Sequence, residues 1–300
     1  MRNFFPLLAG FALLTGTAHA KLNVVTTLPD FASLAEEIGG DRIKVTSLAK
    51  GTEDPHFVDA KPSFIRVLNQ ADVLIEGGAE LEVGWLPPLV QNARNPRILS
   101  DAPGHLRLAR GLKLLDVPTT LDRSQGDVHA AGNPHYNLDP ANFKIMATTI
   151  AEVFSRLDLT NASFYQANLR TFSDRLDQKM AEWAKLAAPL RGLKVITYHK
   201  SFEYLAARYG LEVLGQIEPK PGLEPTPTHI NLLIPKAKAA GVKLVLMEPN
   251  RSRKTPQFVA DSIGARLVIC PGLVGGSPDA KTCLDLIDYN LRALLKAAQP

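Results

Sequence analysis

Short apolar, β-branched runs alternate along this chain with longer segments whose apolar residues return every three or four positions. In the first half, Leu22–Thr27, Ile43–Leu48 and Asp72–Glu76 read as strands, with helices predicted over Asp30–Ile38 and Lys61–Asn69. Pro62 falls in the first turn of the second helix, where a missing N–H costs nothing. In the second half, strands are predicted at Lys194–Thr197, Glu212–Gln216, Lys243–Met247 and Arg266–Ile269. Helices at Phe202–Tyr209, Thr228–Ala240 and Pro256–Ile263 separate them, and Ala280–Ala297 closes the chain. Gly210, Gly241 and Gly264 stand where those helices should stop. Strands in alternation with helices predict an α/β fold with parallel sheets.

Between the halves the pattern changes. From Asn161 to Ala188 there is neither Gly nor Pro, and Leu169, Phe172, Leu176, Met180, Trp183 and Ala187 form one helical stripe. Thr160 is placed to cap the start, and Pro189 and Gly192 mark the end. Some 28 residues would make a helix on the order of 40 Å long. It reads either as a stiff strut between two lobes or as an ordinary helix of one continuous domain. The strut reading divides the chain into a signal peptide (1–20), an N-terminal α/β lobe (21–158), a connecting helix (159–190) and a C-terminal α/β lobe (191–300).

The signal peptide rests on a positive start at Arg2, an apolar run from Phe4 to Leu14, and small residues at Ala18 and Ala20 before a cut at Lys21. That run is too short to span a bilayer, and no Cys follows it, so the expected product is a periplasmic protein without a membrane anchor. The formal charge of +4 is spread along the chain, which argues against nucleic acid as a partner. Two cysteines, Cys270 and Cys283, meet a compartment that permits disulfides.

Candidate chemistry gathers in loops that leave strand ends, where open α/β sheets bind ligands. His56 sits in Glu53-Asp54-Pro55-His56, after the strand ending near Leu48. His199 follows the strand ending at Thr197, in the other half of the chain. His135 lies in Asn133-Pro134-His135-Tyr136, just before Asp139-Pro140 opens a helix, and His129 lies in a polar loop upstream. Pro55 and Pro134 stiffen the backbone before two of these histidines. No H-E-x-x-H or C-x-x-C pattern is present, so spacing by itself leaves metal binding and ordinary loop histidines both open.

Longer motifs narrow the choice. Asp54-Pro55-His56, Asn133-Pro134-His135 with Leu138-Asp139-Pro140, and His199-x-x-Phe202-x-Tyr204 with Tyr209-Gly210-Leu211 resemble the zinc- and manganese-binding solute-binding proteins of ABC transporters (cluster A-I). Phe164-Tyr165-Gln166-Ala167-Asn168 and Glu224-Pro225-Thr226-Pro227 extend the resemblance over nearly all of the chain after residue 20. It implies two α/β lobes joined by one long helix, a metal ion held between them, and an inner-membrane ABC permease as partner of a monomeric binding protein. It assigns His56, His135 and His199 as ligands. Histidine rather than glutamate at the third place favours zinc, as does imidazole chemistry.

The resemblance breaks at the fourth ligand, where Cys270 occupies the place of an expected Asp. A thiolate suits zinc, but a Cys270–Cys283 disulfide and two free thiols are alternatives. With Cys270 oxidised, water, Glu53 or Glu248 would complete the shell, and Glu53 or Glu248 could instead steady the ligands from outside it. Upstream of His135, the long His-rich insertion of many zinc members is missing, leaving His129 as an auxiliary ligand or a surface residue. The rival from another class is a zinc-dependent hydrolase using the same three histidines.

Overall fold

The computed structural model describes residues 20–119 and 129–299. The predicted signal peptide therefore lies outside the described residues except for Ala20. Strand β1 (Leu22–Thr26) is flanked in parallel by β2 (Ile43–Ser47) and β3 (Val73–Glu76), and β4 (His105–Arg107) joins β3. The second sheet repeats the plan. There β5 (Lys194–Thr197) lies between β6 (Glu212–Gln216) and β7 (Leu244–Met247), with β8 (Arg266–Ile269) outermost. The orders β2-β1-β3-β4 and β6-β5-β7-β8 are the same topology used twice. In each, the chain reverses its direction of travel across the sheet beside the first strand. That opens a crevice at the carboxyl ends of the strands.

The helices follow from the apolar stripes. In the first lobe they are α1 (Pro29–Gly39), α2 (Pro62–Asn69), α3 (Leu86–Ala93) and α4 (Pro140–Leu157). The sequence reading missed β4, which is only three residues long, and α3, whose Pro87 and Pro88 look like breakers. Both prolines fall in the first turn of α3, where no intrahelical N–H is needed. The long helix is α5 (Ala162–Leu186), 25 residues. Its start is not capped by Thr160. A single 3-10 turn precedes it, closed by the Asp158 carboxylate, which accepts from the Asn161 N–H and from the Tyr165 hydroxyl.

Helix α5 links the lobes as a packed element rather than a bare strut. Tyr165, Phe172, Leu176 and Trp183 bury its inner face, which meets α1 and α4 on one side and α9 (Cys283–Ala298) on the other. One apolar core runs without a break from the first sheet along α5 to the α9 side of the second sheet. A smaller core fills the opposite face of the second sheet beneath α7 (Pro227–Ala240) and α8 (Lys254–Ile263). Helix α6 (Glu203–Tyr209) completes the second lobe.

The lobes also meet at their loops. A Cβ on Gly51, after β2, would lie 2.0 Å from the Val274 carbonyl oxygen, so any side chain there would force the seam apart. No helix among the described residues is long and apolar enough to cross a membrane.

Candidate metal centre

Three histidines from three loops converge at this seam. His56 Nε2 is 3.3 Å from His135 Nε2, which is 3.2 Å from His199 Nε2. Their ligand atoms all lie within 4.8 Å of one another. Among the described residues this is the one such group of His, Cys, Asp or Glu. His135 and His199 are buried, and His56 is half-buried.

Each imidazole is set by its own local structure. The Asp54 carboxylate accepts the His56 N–H at 3.0 Å, and the Trp85 indole donates to the Pro55 carbonyl at 3.0 Å. Asn133 does the same for His135, accepting its N–H at 2.9 Å while its amide donates across the seam to the Lys200 carbonyl at 2.8 Å. The Tyr204 hydroxyl, also from the second lobe, donates to the Asn133 carbonyl at 2.7 Å. The loops carrying His135 and His199 are thus stitched together.

His199 has a different support. Its Nδ1 lies 2.7 Å from Glu218 Oε2, and both residues are buried. An Nδ1–H donated to that carboxylate leaves a lone pair on Nε2, pointed at the other two rings. Burial alone would lower the His199 pKa, but the hydrogen bond and charge of Glu218, with Glu248 behind it, lift it above the ordinary histidine value. His56 and His135 go the other way. Burial first, and then their cationic neighbours, hold both well below the ordinary value. They are neutral donors at any pH near neutrality, the state a metal requires.

The remaining predicted site residues divide. Glu248, immediately after β7, lines the cavity with the three histidines. Its Oε1 accepts from the Ser201 hydroxyl at 2.5 Å, while Oε2 is buried with no hydrogen-bond partner. Burial raises its pKa for that reason. An unpaired buried carboxylate oxygen beside three converging lone pairs fits a cation better than any protein group nearby.

Glu53 also borders the cavity, but its carboxylate is turned back to accept the Lys50 N–H at 2.9 Å, with Lys61 at 3.9 Å. His129 stacks on His56 with ring centroids 5.1 Å apart and stands outside the converging group. Cys270 is also outside it. It is wholly buried in the main apolar core, and burial pushes its thiol far above the ordinary value, so the thiolate needed for ligation is disfavoured. The disulfide is not formed either: Cys270 and Cys283 are both free, buried thiols.

Sequence reasoning overlooked Glu218, Trp85 and Asn133. Asn133 stood next to a named histidine, and its position two residues before His135 suits an Asx turn. Glu218 carried a weaker signal, its place just beyond the end of the strand that pairs with β5.

The geometry has relatives. A sequence model of the ZnuA family, described as zinc-uptake complex component A, periplasmic, matches residues 24–297. The manganese ABC transporter substrate-binding lipoprotein PsaA of Streptococcus mitis is 27% identical over 279 residues, covering 90% of this chain and 87% of the relative. A crystal structure of ZnuA superposes with a TM-score of 0.77 at 26% identity, covering 93% of this chain and 100% of that one. FpvC from Pseudomonas aeruginosa, solved in complex with Mn2+, shares the fold with a TM-score of 0.78 at 23% identity, over 92% of this chain and 98% of its own. With the family pattern matched from β1 to α9 and a histidine triad at the lobe seam, the chain belongs to the ZnuA family of substrate-binding proteins that serve metal-importing ABC transporters.

Proposed function

We propose that this protein captures zinc in the periplasm, between its two lobes, and delivers the ion to an inner-membrane ABC permease. The spacing of the histidine nitrogens carries the reading. Three nitrogens bound tetrahedrally at zinc's usual 2.0–2.1 Å would lie about 3.3–3.4 Å apart, and two of the separations here are 3.3 and 3.2 Å. The donor set adds to it. All three ligand candidates are imidazoles, which suit zinc, whereas manganese favours carboxylate and water. The relatives divide between the two metals by name, zinc for the matched family and manganese for PsaA.

Glu248 is the protein group best placed to face the fourth position, since its Oε2 is buried in the cavity wall without a partner. Cys270 is set aside by its burial in the core. The hydrolase reading loses its support, because the family is one of transport components. Elemental analysis of the protein purified from the periplasm tests the proposal. About one zinc per chain is expected. Manganese in its place would overturn the choice of metal, and failure to retain or take up any divalent metal would overturn capture itself.

A further inference from the structure

Arg251 is a fixed positive charge in the wall of a cation site. It lines the same cavity as His56, His135, His199 and Glu248, and its side chain is only 20% exposed. Its charge helps to push the His56 and His135 pKa values down. By Coulomb's law it opposes any metal ion bound there. A side chain so placed must contribute something that outweighs the repulsion.

Its contacts say what. One guanidinium nitrogen, Nη2, lies 2.9 Å from Asp54 Oδ2, and Nη1 lies 3.7 Å from Glu218 Oε1. Asp54 belongs to the loop after β2, where its other oxygen holds the His56 N–H. Glu218 belongs to the loop after β6, where its other oxygen holds His199 Nδ1. One side chain thus joins the two carboxylates that orient two of the three histidines, from opposite sides of the seam. The planar fork of arginine presents a separate nitrogen to each carboxylate at a fixed spacing, whereas lysine offers one nitrogen on a flexible stem. The Tyr198 ring lies 5.4 Å from the guanidinium carbon, and the Arg251 backbone N–H donates to the Glu248 carbonyl at 3.2 Å, which anchors the turn that carries the side chain.

We propose that Arg251 is an inter-lobe latch, a positioning residue that holds Asp54 and Glu218 in register and so sets how long the metal stays bound. The inference rests on the reading of the triad as the metal site. A latch and a mere repulsive charge predict opposite outcomes. Removing a latch lets the ligands separate and speeds metal loss, whereas removing a repulsive charge slows it.

The test is zinc release into excess chelator, followed by stopped flow on the zinc-loaded full chain. The variants are Arg251→Met, Arg251→Lys, Asp54→Asn, and the double Asp54→Asn/Arg251→Met. Arg208→Met serves as control, since Arg208 grips Asp139 across the same seam at 2.7 and 2.8 Å without holding a histidine. Expected are release at least about tenfold faster in Arg251→Met, little rescue by Arg251→Lys, and a double variant no faster than the faster single, because both cut one link. Arg208→Met should release at the wild-type rate. Unchanged or slower release in Arg251→Met overturns the latch. Should that variant fail to fold, Asp54→Asn decides: faster release supports the latch and wild-type release sinks it. A wild-type protein that takes up no zinc would defeat the site reading, an outcome distinct from these.

Discussion

The two lobes repeat one sheet topology, yet they hold their shares of the site by different means. The first lobe contributes His56 and His135, and the groups that set them are mostly uncharged. They are the Trp85 indole on the Pro55 carbonyl, the Asn133 amide, and prolines before each histidine, with the Asp54 carboxylate as the one charged group among them. The second lobe contributes one histidine, His199, and two buried carboxylates, Glu218 and Glu248. The first lobe therefore supplies two of the three imidazoles, and the second supplies two of the three carboxylates around them, Glu218 and Glu248 against Asp54. A dication leaving water for a buried site needs negative charge close by. Placing most of it on one flank leaves the other flank's imidazoles neutral and ready. The difference shows that matching topology fixes where a loop emerges, while the loop's own residues decide what it contributes.

The largest expected effect is on the first flank. His135 Nε2 is the nitrogen within 3.3 Å of both others, so His135→Ala removes the centre of the triad. Loss of a supporting partner typically costs 10–100-fold in affinity, and loss of the ligand itself should exceed roughly a hundredfold. Calorimetric zinc titration reads it directly. Next comes Glu218→Gln, which keeps the shape but removes the charge behind His199. The expected loss is between about tenfold and a hundredfold. Were it no worse than Asn133→Ala on the neutral flank, the division of labour between the lobes would be wrong.

Much of this was legible in the sequence. Seven of the strands were readable because each is a short apolar run between polar turns, and α5 was readable because its stripe persists without Gly or Pro. The three histidines stood out by their places beside prolines or strand ends, but it was the longer motifs resembling the family that assigned them as ligands. Glu218 and Arg251 were not, because their roles come from pairings that depend on tertiary structure: Glu218 meets a histidine 19 residues away, and Arg251 meets a carboxylate of the other lobe. Cys270 misled for a related reason. Its place after β8 matched a ligand position, but position along a chain does not give side-chain direction, and β8 is an edge strand whose next residue turns into the core.

The first lobe has two buried acids of its own, Asp30 and Glu82, and the second tests the comparison through stability. Glu82 is buried and accepts from the Thr27 hydroxyl at 2.6 Å and from the Gly77 and Gly78 N–H groups, holding the turn that leads to Trp85. Burial, then the charge of Glu76, raises its pKa from 4.5 to about 7. Between those values the folded protein keeps a proton that the unfolded chain has released. The stabilisation is complete below about pH 4.5 and is lost as the pH rises through about 7. Metal-free protein should lose about 2 kcal/mol from this group between pH 5 and 8. In Glu82→Gln that part of the slope should vanish, as chemical denaturation at each pH would reveal. An unaltered slope would mean that this acid is charged in the fold and that the first lobe is not the neutral one.

Trp85 should show the smallest effect, and the most specific. Its indole N–H is the hydrogen bond from outside the loop that fixes the Pro55 carbonyl, one residue before His56. Trp85→Phe keeps most of the apolar bulk of a 4%-exposed side chain and removes that one donor. A single neutral hydrogen bond is worth about 1 kcal/mol, so zinc affinity should fall by roughly fivefold while the His199 flank keeps its geometry. The shift should be confined to the first lobe: histidine NMR resonances should move for His56 and stay in place for His199. Movement of both would mean that the seam transmits strain from one loop to the other, and that the two flanks are one unit rather than two differently built halves.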